Sequence, residues 1–99
     1  VLLLDEPTSH LDLSNRNKTL RILNRLRQNG TTILFTTHDP EAASLVADNL
    51  VLMKSGNVLY TGGMDDTFTS PKLSETYGTE IEVIRFDGLL VVRSLEKLR

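Results

Sequence analysis

The first residues place two acids directly after a run of apolar side chains, and this arrangement constrains the fold more than any other part of the sequence. Val1 to Leu4 are apolar without interruption, which predicts a β-strand buried on both faces. Asp5 and Glu6 follow, and Pro7 stops the strand because proline has no amide hydrogen for a sheet ladder. Open α/β sheets bind ligands beyond the carboxyl ends of their strands, so we expect the two carboxylates at such an edge.

The adjacent carboxylates of Asp5 and Glu6 repel each other, which is costly at a partly buried site unless a cation or hydrogen-bond donors offset the charge. Mg²⁺ is the natural candidate, because it prefers oxygen ligands and commonly lies between one or two carboxylates and substrate phosphates. The competing interpretation is a strand that ends in two solvated acids without a cation. An apolar run followed by Asp-Glu does not by itself separate these two interpretations.

Composition limits the class of protein. The chain has 99 residues with 11 basic and 13 acidic side chains, a net charge of −2, so nothing indicates the basic surface of a nucleic-acid-binding protein. The absence of cysteine excludes a disulfide framework and a thiolate metal site. The longest apolar runs fall far short of the roughly 20 residues that span a bilayer. The sequence is typical of a soluble globular domain.

A helix and a second strand are expected after the acids. Asp12 is a suitable N-cap for a helix over residues 13–29, in which leucines recur every third residue. Residues 31–37, Thr-Thr-Ile-Leu-Phe-Thr-Thr, are rich in β-branched side chains and predict the second strand. A crossover of this length joins parallel strands, which end at the same edge of a sheet. His38, the next residue, is therefore expected beside the two acids.

The remaining residues predict short helices and two hairpins. Asp39 and Pro40 suit the N-cap and the first turn of a helix. Asp87-Gly88 between apolar runs is a strong hairpin signal. The expected elements are a helix over 40–46, a hairpin of strands 49–54 and 57–61, helical turns over 65–69 and 71–77 with Ser70 capping the second, and a hairpin over 80–93.

Residues 4–12, Leu-Asp-Glu-Pro-Thr-Ser-His-Leu-Asp, resemble position for position the Walker B and D-loop segment of ATP-binding cassette (ABC) ATPases. Residues 37–39, Thr-His-Asp, resemble the H-loop of the same family. The resemblance implies an α/β fold, namely the C-terminal part of a P-loop NTPase domain of the RecA-like ABC type. Such a domain portion would have a parallel βαβ core with hairpins toward the C-terminus.

The resemblance implies a role for each matching residue. Asp5 would hold Mg²⁺, generally through a bound water, at the β- and γ-phosphates of ATP. Glu6 would be the catalytic carboxylate that orients or deprotonates the attacking water. His38 would contact the γ-phosphate and position that water. ATP and Mg²⁺ are thus the implied cofactors.

The resemblance also implies partners. Two ABC nucleotide-binding domains sandwich two ATP molecules head to tail, and Ser9, Leu11 and Asp12 would form the D-loop that reaches the second domain. Transmembrane permease subunits and a substrate-binding protein are further implied partners, whereas nucleic acid is not. The expected location is cytoplasmic, peripheral on the inner face of the cell membrane. The tail from Glu80 to Arg93, which a Tyr-Gly pair precedes, resembles the C-terminal end of ATPases from importers of iron chelates, haem or cobalamin. This resemblance implies that the transport function is metal-chelate import.

The Walker A loop, the Q-loop glutamine and the Leu-Ser-Gly-Gly-Gln signature of the family do not occur in these 99 residues. We therefore expect a partial domain, with residues 1–64 in its catalytic core and residues 65–99 forming C-terminal helical turns and a hairpin. Alone, the chain is expected neither to bind ATP tightly nor to hydrolyse it, because phosphoryl transfer depends on positioning. Two alternatives stay open, a soluble ABC-type ATPase of translation or DNA repair and a catalytically idle interaction fragment.

Overall fold

The computed structural model describes residues 1–97 and contains two compact units, one from Val1 to Val46 and one from Ala47 onward. The first unit comprises β1 (Leu2–Asp5), α1 (Leu13–Gln28), β2 (Ile33–Thr36) and α2 (Pro40–Val46). The second comprises β3 (Asn49–Lys54), β4 (Asn57–Gly63), α3 (Met64–Thr67), α4 (Ser70–Tyr77), β5 (Ile81–Phe86) and β6 (Leu89–Ser94). None of the helices described over residues 1–97 is long and apolar enough to cross a membrane.

In the first unit, β1 and β2 pair in parallel, in register from Leu2 opposite Ile33 to Asp5 opposite Thr36. The crossover runs through α1, which confirms the expected parallel βαβ arrangement. One face of the strand pair packs on the helices. The buried residues of this core are Leu20, Leu23, Ala42 and Val46, with Leu2, Leu4, Ile33 and Phe35 of the strands packed against them.

The other face of the strand pair is exposed, so the expectation that β1 is buried on both faces is wrong for this chain. Leu3 and Leu34 are 69% and 63% exposed. Successive side chains of a strand point to opposite faces, and α1 and α2 cover only the face that carries Leu2 and Leu4. The apolar run thus faces the core at every second residue only.

β2 is shorter than the expected strand over residues 31–37, because the residues at both ends have other hydrogen-bond partners. The Thr31 amide donates to Leu26 O at the end of α1, at 3.0 Å. Thr37 Oγ1 accepts from the Asp39 amide at 2.9 Å, which turns the chain out of the strand. The strand therefore ends at Thr36.

The second unit consists of two antiparallel hairpins and two short helices. β3 pairs with β4, and β5 pairs with β6, as the sequence predicts. The second hairpin turns at Asp87-Gly88, whose φ angles of 52° and 77° are those that a two-residue turn of the I′ type requires. The buried core residues are Leu52, Phe68, Leu73 and Ile81.

The boundary between the two units lies after Val46, earlier in the chain than the functional boundary expected between residues 64 and 65. The reason is that Leu52 of β3 shares a buried cluster with Phe68 and Leu73, so the first hairpin packs with the helices that follow it. The assignment of residues 1–64 to a catalytic core stays a prediction.

The N-cap of α4 is Thr69 rather than the expected Ser70. Thr69 Oγ1 accepts from the Lys72 amide at 3.4 Å. Ser70 Oγ instead accepts from the Val83 amide of β5 at 2.8 Å. Ser70 therefore connects the helix to the strand. The helix ends at Gly78, which has the expected left-handed conformation with φ of 70°.

Candidate functional site

The carboxyl ends of β1 and β2 bring two acids and a histidine together. Asp5 ends β1 and lies opposite Thr36, which ends β2. Glu6 and His38 follow these strands, and His38 Nε2 lies 2.9 Å from Glu6 Oε1. His38 thus lies at the same edge of the sheet as the acids, as the parallel topology of β1 and β2 predicts. The His38 side chain is 93% exposed, so the ring is accessible to a ligand.

Thr36, which was not among the residues expected from the sequence, connects the two acids. Its Oγ1 donates to Asp5 Oδ1 at 2.5 Å and accepts from the Glu6 amide at 3.1 Å. The same amide lies 3.1 Å from Thr36 O. A hydroxyl has one donor and two acceptor lone pairs, so it can serve both acids at once. The strand register pairs the last residue of β2 with Asp5, and the sequence alone does not fix that register.

Glu6 adopts a left-handed backbone conformation with φ of 45°. This region costs a non-glycine residue on the order of 1–2 kcal/mol, and such residues persist where surrounding contacts hold them. The Glu6 amide is held by Thr36, and the Glu6 carbonyl accepts from the Ser9 amide at 3.1 Å. The strained residue is the one whose carboxylate contacts His38.

The loop between β1 and α1 carries the remaining candidates. Asp12 caps α1, since its Oδ1 accepts from the Asn15 amide at 2.8 Å and its Oδ2 from Asn15 Nδ2 at 3.3 Å. This confirms the predicted cap. Ser9 is exposed, and within residues 1–97 the Asp12 side chain accepts hydrogen bonds from Asn15, whereas the Asp5 side chain accepts from Thr36. The assignment of Ser9 and Asp12 to a nucleotide site stays a prediction.

The residue after His38 ties α2 to α1. Asp39 Oδ1 accepts from the amides of Glu41 and Ala42 at 3.0 and 3.2 Å, which confirms Asp39 as the N-cap of α2. Its other oxygen lies 3.2 Å from Arg16 Nε of α1. One carboxylate next to the candidate histidine therefore caps one helix and forms an ion pair with the other.

The oxygen donors at this edge suit a metal ion that keeps most of its water. Asp5 Oδ1 accepts from Thr36, while Asp5 Oδ2 accepts no hydrogen bond from residues 1–97. In that part of the chain no three His, Cys, Asp or Glu side chains form a metal-binding group. Mg²⁺ is commonly bound by one or two carboxylates, several waters and substrate phosphates. The residues present therefore fit Mg²⁺ better than a metal that needs a full set of protein ligands.

Known proteins are similar to this chain in both sequence and fold. The family model described as "AAA domain, putative AbiEii toxin, Type IV TA system" matches residues 1–44, which include β1, α1 and β2. The cobalt import ATP-binding protein CbiO of Rhodobacter capsulatus is 48% identical over 62 residues, which cover 63% of this chain and 22% of that protein. The hemin import ATP-binding protein HmuV of Photobacterium damselae subsp. damselae is 34% identical over 84 residues, 85% of this chain and 32% of that protein.

A third relative is the energy-coupling factor transporter ATP-binding protein EcfA2 of Listeria welshimeri, 37% identical over 91 residues, with 90% of this chain and 32% of that protein covered. The chain thus spans between 22% and 32% of the length of these three relatives. A solved structure described as "an inward-facing conformation of a putative metal-chelate type ABC transporter" superposes with a TM-score of 0.82 at 29% identity, covering 97% of this chain and 40% of that one. The chain therefore belongs to the ABC ATPase family and corresponds to a C-terminal portion of its ATP-binding subunit.

Proposed function

We propose that this chain supplies the Walker B, D-loop and H-loop residues of an ABC importer subunit that hydrolyses ATP to ADP and phosphate. The observation that carries the proposal is the 2.9 Å contact between His38 Nε2 and Glu6 Oε1 beside the Asp5 carboxylate. A general base, a phosphate-contacting group and a metal-binding oxygen are the groups that phosphoryl transfer to water requires from this edge of the domain.

Each residue has a separate part in this reaction. Glu6 orients the attacking water and accepts its proton, because a carboxylate held at a fixed backbone position is a suitable base. His38 turns from Glu6 toward the γ-phosphate and donates a hydrogen bond to it, which its exposure permits. Asp5, whose Oδ2 accepts no hydrogen bond from residues 1–97, would hold Mg²⁺, generally through a bound water. When bound, Mg²⁺ neutralises charge on the phosphate oxygens.

The partners follow from the family. Ser9 and Asp12 contribute to a D-loop that contacts a second nucleotide-binding domain, with two ATP molecules between the domains. ATP binding and hydrolysis drive transport through permease subunits in the membrane. The ATPase lies peripherally at the cytoplasmic face of these subunits, and a substrate-binding protein delivers the substrate. The similarity to proteins named for cobalt and hemin import, and to a metal-chelate type transporter, supports a metal chelate as the transported substrate.

The test uses the full-length subunit that contains this chain. Glu6→Gln should lower kcat for ATP about 100-fold or more, because removal of a general base typically has an effect of that size, while ATP binding is retained. The matched control is Glu80→Gln, which makes the same chemical change at an exposed acid outside the site and should leave kcat unchanged. Unaltered turnover in Glu6→Gln would refute the assignment of the base.

Transport is tested with the subunit and its permease reconstituted in lipid vesicles. ATP-dependent uptake of cobalt or hemin is expected, and Glu6→Gln should abolish it. Purification of the subunit with ribosomes or DNA, and without a permease, would favour a soluble ABC-type ATPase and would contradict the importer proposal.

A further inference from the structure

Thr36 lies at the position in the site where one hydroxyl contacts both acidic residues. It is the last residue of β2 and lies opposite Asp5, so its side chain projects on the same face of the strand pair as the Asp5 carboxylate. Its hydroxyl donates to Asp5 Oδ1 at 2.5 Å and accepts from the Glu6 amide at 3.1 Å. Valine has the same shape but provides neither hydrogen bond, whereas serine provides both.

The contact with Asp5 determines which carboxylate oxygen is available. Oδ1 accepts from Thr36, and Oδ2 accepts no hydrogen bond from residues 1–97. A carboxylate held through one oxygen cannot rotate freely about χ2, so the second oxygen keeps one direction. Groups that orient a metal-binding carboxylate in this way commonly change metal affinity or activity about 10- to 100-fold when they are removed.

The contact with Glu6 holds a strained residue. Glu6 has a φ of 45°, and its amide is shared between Thr36 Oγ1 and Thr36 O, both at 3.1 Å. Without the hydroxyl, the amide keeps only the carbonyl partner, and the left-handed conformation loses one of the contacts that maintain it. The Glu6 carboxylate would then be placed less accurately against His38 and the attacking water.

We propose that Thr36 is a positioning residue for ATP hydrolysis, whose single hydroxyl fixes both the metal-facing oxygen of Asp5 and the backbone of Glu6. The proposal rests on the proposed ATPase function. It adds to that function a coupling between the metal-binding acid and the catalytic acid, because one hydroxyl serves both.

The experiment compares Thr36→Val with Thr36→Ser in the full-length subunit. Thr36→Val should lower kcat about 10- to 100-fold and raise the Mg²⁺ concentration that gives half-maximal ATPase activity, with little change in KM for ATP at saturating Mg²⁺. A readout independent of turnover is the gain in ATP affinity on going from EDTA to Mg²⁺, which should shrink in Thr36→Val. Thr36→Ser should restore all three quantities to within about threefold of wild type.

Thr32→Val is the matched control, since Thr32 is exposed just before the same strand and its side chain has no hydrogen bond within residues 1–97. It should behave as wild type in every measurement. Should Thr36→Val not fold, as judged by thermal unfolding, Thr36→Ala replaces it with the same expectations. Equal losses in Thr36→Val and Thr36→Ser, or wild-type kcat and Mg²⁺ dependence in Thr36→Val, would overturn the proposal.

Comparison with Glu6→Gln distinguishes a failure of this proposal from a failure of the proposed ATPase function. If Glu6→Gln loses turnover and Thr36→Val behaves as wild type, the ATPase assignment is supported and the proposed role of Thr36 is refuted. If Glu6→Gln keeps full turnover, the assignment of Glu6 as the catalytic base is refuted. The Mg²⁺-dependent gain in ATP affinity of Thr36→Val then still tests whether Thr36 orients Asp5.

Discussion

Replacement of Asp39 by alanine should destabilise the beginning of α2 more than any conservative change at the same position. The Asp39 side chain accepts from the amides of Glu41 and Ala42 through one oxygen and pairs with Arg16 Nε at 3.2 Å through the other. Asp39→Ala removes the cap and the ion pair together. Asp39→Asn keeps an acceptor oxygen for the cap and removes only the charge.

The two contributions have separable magnitudes. Loss of an aspartate N-cap costs about 0.5–2 kcal/mol. The ion pair contributes up to about 1 kcal/mol, at the lower end of that range because the Asp39 side chain is 41% exposed and solvent screens it. Asp39→Ala should therefore cost about 0.7–3 kcal/mol, and Asp39→Asn about 0.2–1 kcal/mol.

Amide hydrogen exchange over α2 in the full-length subunit measures these local free energies. At about 1.4 kcal/mol for each tenfold change, exchange should accelerate roughly 3- to 140-fold in Asp39→Ala and at most about fivefold in Asp39→Asn. Arg16→Met keeps an aliphatic stem but lacks the charge, so it should match Asp39→Asn. Equal acceleration in Asp39→Ala and Asp39→Asn would show that the carboxylate does not cap the helix.

Two further outcomes concern the second unit. Leu73 is 1% exposed in the core, so Leu73→Ala should lower the free energy of unfolding by about 2–5 kcal/mol, whereas Leu89→Ala, at a position 54% exposed, should cost far less, as measured by denaturant unfolding. The hydrogen bond to Glu75, followed by desolvation and the Glu75 charge, raises the pKa of Tyr60 above its ordinary value of 10.0. The stabilisation linked to Tyr60 is therefore fully present below the unfolded pKa and is lost as pH rises through the raised folded pKa. Glu75→Gln should lower the pKa of Tyr60 in an ultraviolet tyrosinate titration, and an unchanged pKa would contradict the assigned cause.

Local patterns in the sequence determine much of the fold. The cap at Asp12, the glycine stop at Gly78 and the Asp87-Gly88 turn all lie where short-range chemistry predicts them. Predictions from the sequence are wrong where a residue has a partner that is distant in the chain. Thr69 and Ser70 are both suitable caps, and a contact with β5 determines which of them serves.

The burial of β1 shows a second limit of prediction from local sequence patterns. A continuous apolar run is equally compatible with a strand covered on both faces and with one covered on a single face. Leu3 is 69% exposed because α1 and α2 pack on only one side of the strand pair. Which face is covered depends on other segments of polypeptide, so the apolar run alone cannot decide it.

Some features of the candidate site could be predicted from the sequence, and others could not. His38 could be placed beside the acids because the direction of parallel strands fixes the edge at which they end. Thr36 could not be selected, because a register shifted by one residue would place a different side chain opposite Asp5. The left-handed conformation of Glu6 is also not encoded locally, since glutamate does not favour positive φ and tertiary hydrogen bonds hold it there.

Three residues within the segment 36–39, at the end of β2, make these tertiary contacts. Thr36 contacts both acids, His38 contacts Glu6, and Asp39 pairs with Arg16 of α1. The contacts of His38 and Asp39 are at least partly exposed, so each is individually weak and can rearrange at small cost. Because neighbouring peptide units cannot move independently, a ligand that repositions His38 also acts on the contacts of Thr36 and Asp39. We therefore expect occupancy at the acids to alter the exchange of α2 amides in wild type, and to alter it less once Asp39→Asn has removed the ion pair with α1.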